Sequence, residues 1–170
     1  MKLRLAIICT AALWLLPAPP PAAAAGHPLL TTIAVGYPQA EPLKDACGVA
    51  VDPAGRIFVA NYYEHAVYVF EVINGEHKYK LRIPIEEPPF APSGKPAGGP
   101  CDLAIDSGGN LYVNNWHYDV VRLPRLNAST PSYGPGVVID SNQPTGVSVD
   151  PANDHVFVDD RTYVAEYDSS

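Results

Sequence analysis

The sequence predicts an all-β fold assembled from repeated antiparallel units, and three observations support this prediction. A pattern of apolar strand, Asp, turn and aromatic strand begins at Cys47, at Cys101 and again at Thr145. Beyond the first 25 residues no segment has the 3.6-residue apolar period of an amphipathic helix, whereas alternation with period 2 recurs. The 19 prolines and 13 glycines suit a chain of many short strands and turns.

Each repeat divides into strands in the same way. A short apolar strand ends in Asp, and a turn of Gly, Pro, Ser, Ala or Asn leads to a β-branched, aromatic second strand. A polar and aromatic turn precedes the third strand, and a fourth strand is predicted in the first two repeats only. The predicted strands are 48–52, 56–60, 66–72 and 79–85; then 102–106, 110–114, 119–123 and 136–140; then 146–150, 155–159 and 163–167.

Four antiparallel strands that recur every 40 to 50 residues or so are typical of a β-propeller blade. One blade cannot bury both of its faces alone, so blades must stack. We therefore predict an incomplete β-propeller of about three blades, with repeats at about 47–85, 101–140 and 145–170. A sandwich or small barrel with accidental internal similarity is the alternative.

The stretches "GVAVDPAGRIFVAN…AVYVF" and "LAIDSGGNLYVNN" resemble NHL-type repeats and the wider group of bacterial six-bladed propellers. The resemblance covers about residues 45–170. The third copy departs from it, because its turn "PANDH" is one residue longer. This resemblance implies the propeller fold and says little about function.

The first 25 residues have the layout of a secretory signal peptide. Lys2 and Arg4 precede an apolar run at 5–16, and small residues follow, with cleavage expected near Ala24 or Ala25. The run is short for a membrane span, although an uncleaved anchor or a buried helix is the alternative. We therefore expect a signal peptide at 1–25, a partial propeller at 26–170, and a secreted or periplasmic protein without a stable membrane span after cleavage.

Both ends of the predicted propeller look incomplete. A strand at 29–35 resembles the outermost strand that closes a propeller ring, and the chain ends after the third strand of its last repeat. Three blades are fewer than the four usual for a propeller. We interpret the chain as a fragment of a longer propeller, with a half-ring that completes itself by oligomerising as the alternative. In both cases open blade edges would favour self-association.

Composition excludes some classes of function. The net charge is −7, and removal of residues 1–25 takes away two cations and no acids, so the mature chain is more acidic still. Nucleic acid is therefore not expected as a partner, because phosphate binding depends on clustered cations. The sequence contains no nucleophile elbow, phosphate-binding loop or zinc-protease motif, and we assign no catalytic residue.

The turns between the second and third strands should share one face with the connections between blades, because alternate loops of an antiparallel sheet lie on opposite faces. Loops on one face of a rigid scaffold commonly carry binding residues. We predict that this face binds the ligand. The candidate residues are Asn61, Tyr62, Tyr63, Asn115, Trp116, His117, Asp160 and Arg161.

Repeat-equivalent polar residues are expected to be structural. Asn61, Asn115 and Asp160 occupy matching places, so we expect each to bond the backbone of its own turn, as Asn and Asp commonly do. The strand-ending aspartates are expected to cap the turns that follow them. These are Asp52, Asp106 and Asp150.

The prediction favoured by the sequence is an exported, non-catalytic binding or scaffold module for a protein, peptide or glycan, without a cofactor. The alternative is an incomplete metal-dependent hydrolase or lyase, similar to gluconolactonases or to peptide-amidating lyases. Such a resemblance would make Asn61, Asn115 and Asp160 the candidate ligands of Ca²⁺ or another divalent ion. No Glu stands in a matching place, and the histidines lack zinc-site spacing.

Cys47 and Cys101 are repeat-equivalent. Packed sheets lie ~10 Å apart, whereas a disulfide needs Cα atoms within about 7 Å. We therefore expect buried free thiols in preference to a bridge.

Overall fold

The computed structural model describes residues 28–35, 42–86 and 98–168. The predicted signal peptide at 1–25 lies outside these residues. The chain divides into the units Met1–Thr32 and Ile33–Ser170, and the described part of the first unit, 28–32, contains no helix or strand. Within the described residues, no helix is long and apolar enough to cross a membrane.

The second unit is built from β-strands, with a single turn of 3₁₀ helix at Tyr62–Glu64 among its described residues. The strands are β1 Ala46–Val51, β2 Ile57–Asn61, β3 Ala66–Ile73, β4 Glu76–Pro84, β5 Pro100–Ile105, β6 Leu111–Asn115, β7 Asp119–Leu123, β8 Val137–Asp140, β9 Gly146–Val149, β10 Val156–Asp159 and β11 Val164–Tyr167.

The strands form three antiparallel sheets, each paired in chain order, which we call blades 1, 2 and 3. Blade 1 is β1-β2-β3-β4, blade 2 is β5-β6-β7-β8, and blade 3 is β9-β10-β11. The incomplete propeller predicted from the sequence is thus confirmed, with each predicted repeat strand found within about three residues of its expected bounds.

The predicted strand at 29–35 is not observed. Residues 28–34 have no strand assignment, and Val35 makes only an isolated antiparallel bridge with Pro42. A strand is stabilised by the hydrogen-bond ladder of its neighbour. None of the blade strands pairs with 29–35 in the described part of the chain, so that ladder is missing.

The core lies between blades, because alternate residues of each strand face opposite neighbours. In β6, Leu111 and Val113 pack toward blade 1 against Phe58. Tyr112, between them, packs toward blade 3 against Val156. All five residues of β6 are therefore buried, and the middle blade is held on both faces.

The first strands of blades 1 and 2 approach much more closely than two packed sheets do at their centres. Cys47 and Cys101 form a disulfide with Cα atoms 4.6 Å apart, so the expectation of free thiols is wrong. Cys47 is also exposed and Cys101 only half-buried. The ~10 Å spacing used in that expectation applies to sheet centres, whereas the innermost strands of radiating blades converge.

Gly48 permits this approach. A Cβ atom at Gly48 would lie 2.5 Å from the carbonyl oxygen of Cys101 and 2.8 Å from the Cα atom of Asp102. Because both contacts are with backbone, no side-chain rotation could relieve them. A glycine is therefore required beside the disulfide.

The strand-ending aspartates cap the following turns, as predicted. Oδ1 of Asp52 accepts hydrogen bonds from the Arg56 backbone N–H at 2.9 Å and from the Ala54 N–H. Oδ1 of Asp106 accepts the equivalent bond from the Asn110 N–H at 2.8 Å. The longer turn of blade 3 alters this pattern: the Asp150 carboxylate accepts from the Ala152 N–H, whereas the His155 N–H donates to the Asn153 side chain instead.

Candidate functional site

The turns between second and third strands lie beside the connections that enter each blade. Tyr62 N–H donates to the Asp45 carbonyl at 3.0 Å, and Trp116 N–H donates to the Gly99 carbonyl at 3.0 Å. In blade 3 the Thr145 N–H of the connection donates to a carbonyl of the turn. We call this surface the loop face; it comprises turns 61–65, 114–118 and 159–162 with connections 42–46, 98–100 and 141–145.

The loop face is tightly packed between blades 1 and 2. A Cβ atom on Gly99 would collide with the carbonyl oxygen of Tyr62, and one on Gly98 would collide with that of Trp116. Only glycine, which has no Cβ atom, therefore fits at these two positions between the neighbouring turns. The aromatic residues of those turns are consequently carried by a closely held backbone.

Aromatic side chains project from this backbone. Tyr62 and Tyr63 meet edge to face with centroids 5.1 Å apart, and Trp116 stacks on His117 at 4.7 Å and an interplanar angle of 17°. Tyr63 is 69% exposed and Trp116 37% exposed. The structure therefore places all four aromatic candidates on the loop face, with three of them open to solvent and Tyr62 half-buried.

Asn61, Asn115 and Asp160 are not surface residues. All three are buried, at the end of the second strand of their blades or just beyond it. Asn61 Oδ1 accepts a hydrogen bond from the Lys44 backbone N–H at 3.1 Å, which belongs to the entering connection. The expectation that each residue bonds the backbone of its own turn is wrong for Asn61, whose partner lies in the entering connection, and for Asn115, which bonds the Asp119 side chain across its own turn.

The three equivalent residues also occupy separate surroundings. Asn115 Nδ2 donates to Asp119 Oδ1 at 2.7 Å and lines a cleft beside blade 1. Asp160 lines a different pocket, beside Gln143, and Asn61 contacts Lys44. The described residues contain no group of three or more His, Cys, Asp or Glu side chains that could hold a metal ion.

Asp160 is a buried carboxylate without a basic partner among the described residues. It is 4% exposed, and neither carboxylate oxygen accepts a well-formed hydrogen bond. Burial raises the pKa of Asp160, the nearby Asp140 carboxylate raises it further, and the nearby Tyr163 hydroxyl partly offsets the rise. Asp140 is itself satisfied by the Tyr167 hydroxyl and the Asn142 N–H. The neighbouring Arg161 guanidinium donates to Gln143 instead of to Asp160.

Replacing Asp160 with Asn is expected to stabilise the protein at neutral pH by roughly 1 kcal/mol, because a neutral amide avoids part of the cost of an unsatisfied buried charge. The raised folded-state pKa means that Asp160 destabilises the fold progressively as pH rises above its ordinary value of 3.8. The gain should therefore vanish below about pH 4. Denaturant unfolding at several pH values measures it, and a loss of stability at pH 7 would contradict this account.

Several buried polar residues were missed by the sequence analysis. Asp119 is buried at the start of β7 and is held by Asn115 across the turn. Asn114 is fully buried with neither amide atom hydrogen-bonded. Asp102, which is half-buried, accepts a hydrogen bond from the Val147 N–H of the next blade. The sequence "NNWHYD" shows the Asn-to-Asp spacing, but their shared face emerges only from the strand register.

Comparisons with known proteins support the fold alone. No family model and no curated protein matches the chain, so the NHL resemblance stays a prediction. Virginiamycin B lyase from Staphylococcus aureus is 14% identical, with a TM-score of 0.46 over 72% of this chain and 41% of the lyase. The PQQ-bound aldose sugar dehydrogenase from Streptomyces coelicolor is 16% identical, with a TM-score of 0.55 over 84% of this chain and 48% of the dehydrogenase.

Both of these proteins are β-propellers, and the chain spans less than half the length of either. At this level of identity the likeness concerns architecture and does not extend to activity.

Proposed function

We propose that the chain is a non-catalytic binding module of an exported β-propeller protein, with the loop face as its binding surface. The observation that carries this proposal is the set of exposed aromatic rings on closely packed turns. Tyr63, Trp116 and His117 are all solvent-exposed there.

Aromatic side chains suit this role because they present a large contact area with few rotatable bonds. The ring contacts of Tyr63 with Tyr62 and of Trp116 with His117 restrict them further. Less conformational entropy is then lost when a ligand binds. A face of this kind matches a protein or peptide surface, or the C–H face of a sugar ring.

Charge narrows the choice of ligand. The chain carries a net charge of −7, and the Glu64 carboxylate on the loop face is paired with Lys44. Polyanions are therefore poor ligands for this face. A protein, peptide or glycan that is neutral or cationic fits the surface better.

Tryptophan fluorescence can test the proposal, because Trp14 lies in the predicted signal peptide and Trp116 is the other tryptophan of the sequence. In the mature chain, 26–170, fluorescence therefore reports on the loop face, and titration with peptide and oligosaccharide libraries should reveal a saturable change. Tyr63→Ala should then weaken binding at least tenfold, because an exposed aromatic contact is lost. Leu126→Ala removes another exposed apolar side chain and serves as the matched control.

Two results would contradict the proposal. One is binding that is indifferent to Tyr63→Ala. The other is a stoichiometric divalent ion that copurifies with the exported protein, since this would favour the metal-dependent hydrolase or lyase. Elemental analysis of the purified chain distinguishes the two functions.

A further inference from the structure

A concave site lies in the cleft between blades 1 and 2, beside the turn 114–118. The cleft has a volume of about 520 Å³. Its walls are apolar. Ile83 of β4 and Ile85, just after β4, form the wall from blade 1, and Val121 and Leu123 of β7 form the wall from blade 2. Tyr133 adds an aromatic wall that rests edge to face on Phe58, with centroids 6.3 Å apart.

Polar groups gather at one end of this cleft. Asn115 and Asp119 are a cross-strand pair at the junction of β6 and β7, so their side chains share one face of the sheet. Asn115 is 2% exposed and Asp119 6% exposed, and both line the cleft. Glu86 lines it as well. The cleft therefore combines a hydrocarbon-like body with an acidic end.

The hydrogen-bond inventory leaves an acceptor without a donor. Asn115 Nδ2 donates to Asp119 Oδ1 at 2.7 Å, which fixes the amide with its oxygen turned away from that carboxylate. Asn115 Oδ1 is buried and has no hydrogen-bond partner. An unsatisfied buried acceptor carries a desolvation cost that a bound donor would relieve.

The charge inventory points to the same kind of ligand. Among the described residues that line the cleft, none is Lys, Arg or His, whereas Asp119 and Glu86 are both acidic. Burial raises the pKa of Asp119, and the hydrogen bond from Asn115 offsets only part of that rise. A cationic donor would supply the missing charge as well as the missing hydrogen bond.

We propose that this cleft binds a primary ammonium group carried on an apolar body, with the Asn115 amide oxygen and the Asp119 carboxylate as its acceptors. The apolar body packs against Ile83, Val121 and Tyr133. The ammonium could belong to a small alkyl or arylalkyl amine or to the lysine side chain of a peptide. This inference does not rest on the proposed role of the loop-face aromatics.

Calorimetric titration of the full chain tests the proposal with two probes of equal shape, 4-phenylbutylamine and 4-phenylbutan-1-ol. The amine should bind at least tenfold more tightly than the alcohol. Asp119→Asn should weaken amine binding at least tenfold and leave the alcohol little changed. Asp159→Asn removes an exposed carboxylate outside the cleft lining and should have no comparable effect.

A second variant keeps the test decisive if Asp119→Asn fails to fold. Val138 lines the cleft and is 53% exposed, so Val138→Arg should be tolerated while its guanidinium competes for the acidic end. Amine binding should then be lost with the thermal unfolding temperature unchanged. Equal affinity for amine and alcohol, or full amine affinity in both cleft variants, would overturn the proposal.

A third titration distinguishes a small amine from a peptide lysine as the natural ligand. It compares a blocked peptide that contains one lysine with the same peptide in which norleucine replaces the lysine. Preference for the lysine peptide over 4-phenylbutylamine assigns the cleft to peptide ligands, and the reverse assigns it to small amines. Failure of both amine probes to bind overturns the proposal. Loop-face binding is identified by its loss in Tyr63→Ala and cleft binding by its loss in Asp119→Asn, so the two proposals can fail independently.

Discussion

Replacing Cys47 and Cys101 together with Ser is expected to lower the free energy of unfolding by about 4 kcal/mol. The disulfide closes a loop between residues separated by 54 positions. Opening a loop of that length restores a large conformational entropy to the unfolded chain, and the loop-closure relation gives about 4 kcal/mol. Total stabilities of domains this size are on the order of 5–15 kcal/mol, so the double variant would lose a large share of its stability.

Denaturant unfolding of the oxidised protein and the double variant measures this difference. Ala46→Ser, at the exposed neighbouring position of β1, is the matched control and should leave stability nearly unchanged. Reduction of the unmodified protein should reproduce the effect, since Cys47 is exposed to the reductant. Free thiols on Cys47 and Cys101 in the non-reduced protein would refute the assignment.

The second large effect is expected at the buried ion pair of blade 1. Asp52 Oδ2 contacts Arg56 Nη2 at 2.5 Å and Nε at 2.6 Å, and both side chains are buried. Asp52→Ala should cost about 3–5 kcal/mol, because it leaves the Arg56 guanidinium buried without a partner. It also removes the acceptor that caps the turn for the Ala54 and Arg56 N–H groups.

The repeats supply a matched control for this change. Asp150 occupies the equivalent place in blade 3 and is only half-buried, and its carboxylate accepts a hydrogen bond from the Ala152 N–H. Asp150→Ala should therefore cost about 1 kcal/mol. Asp52→Asn, which removes the charge and keeps an acceptor, should fall between the two alanine variants. Equal losses at Asp52 and Asp150, measured by chemical denaturation, would show that the ion pair contributes nothing beyond turn capping.

The strands and their grouping could be predicted from the sequence because the first three strands of a blade occur in all three repeats and the fourth occurs in two. Period-2 alternation located β7 at 119–123 without error. The isolated segment at 29–35 has no repeat to support it, and its apolar composition alone was misleading. Local pattern predicts a strand, but pairing depends on which edges are available.

Site residues could be predicted from the sequence only where they lie in a turn between two strands, because such a turn is exposed at the surface. Tyr63, Trp116 and His117 lie on the loop face because they sit in turns between known strands. Asn115 was assigned to the same surface, whereas it is buried and faces the neighbouring blade. Which side of a blade a strand-end residue faces depends on register, and a shift of one residue reverses it. The cleft with Asp119 depends on the packing of two blades, which no local pattern contains.

The disulfide joins blades 1 and 2, whereas within the described residues blade 3 is joined to blade 2 by the main chain and by no disulfide. Blade 3 is held by the apolar contacts of Val147, Val156 and Val158 and by hydrogen bonds to blade 2, which run from Val147 N–H to Asp102, from Ser107 N–H to Asp154 and from the Tyr167 hydroxyl to Asp140. Its three strands have four residues each. Since regions with fewer constraints open at lower free energy, the molecule should behave as a covalently fixed pair of blades and a third that can detach reversibly, with its backbone amides exchanging first.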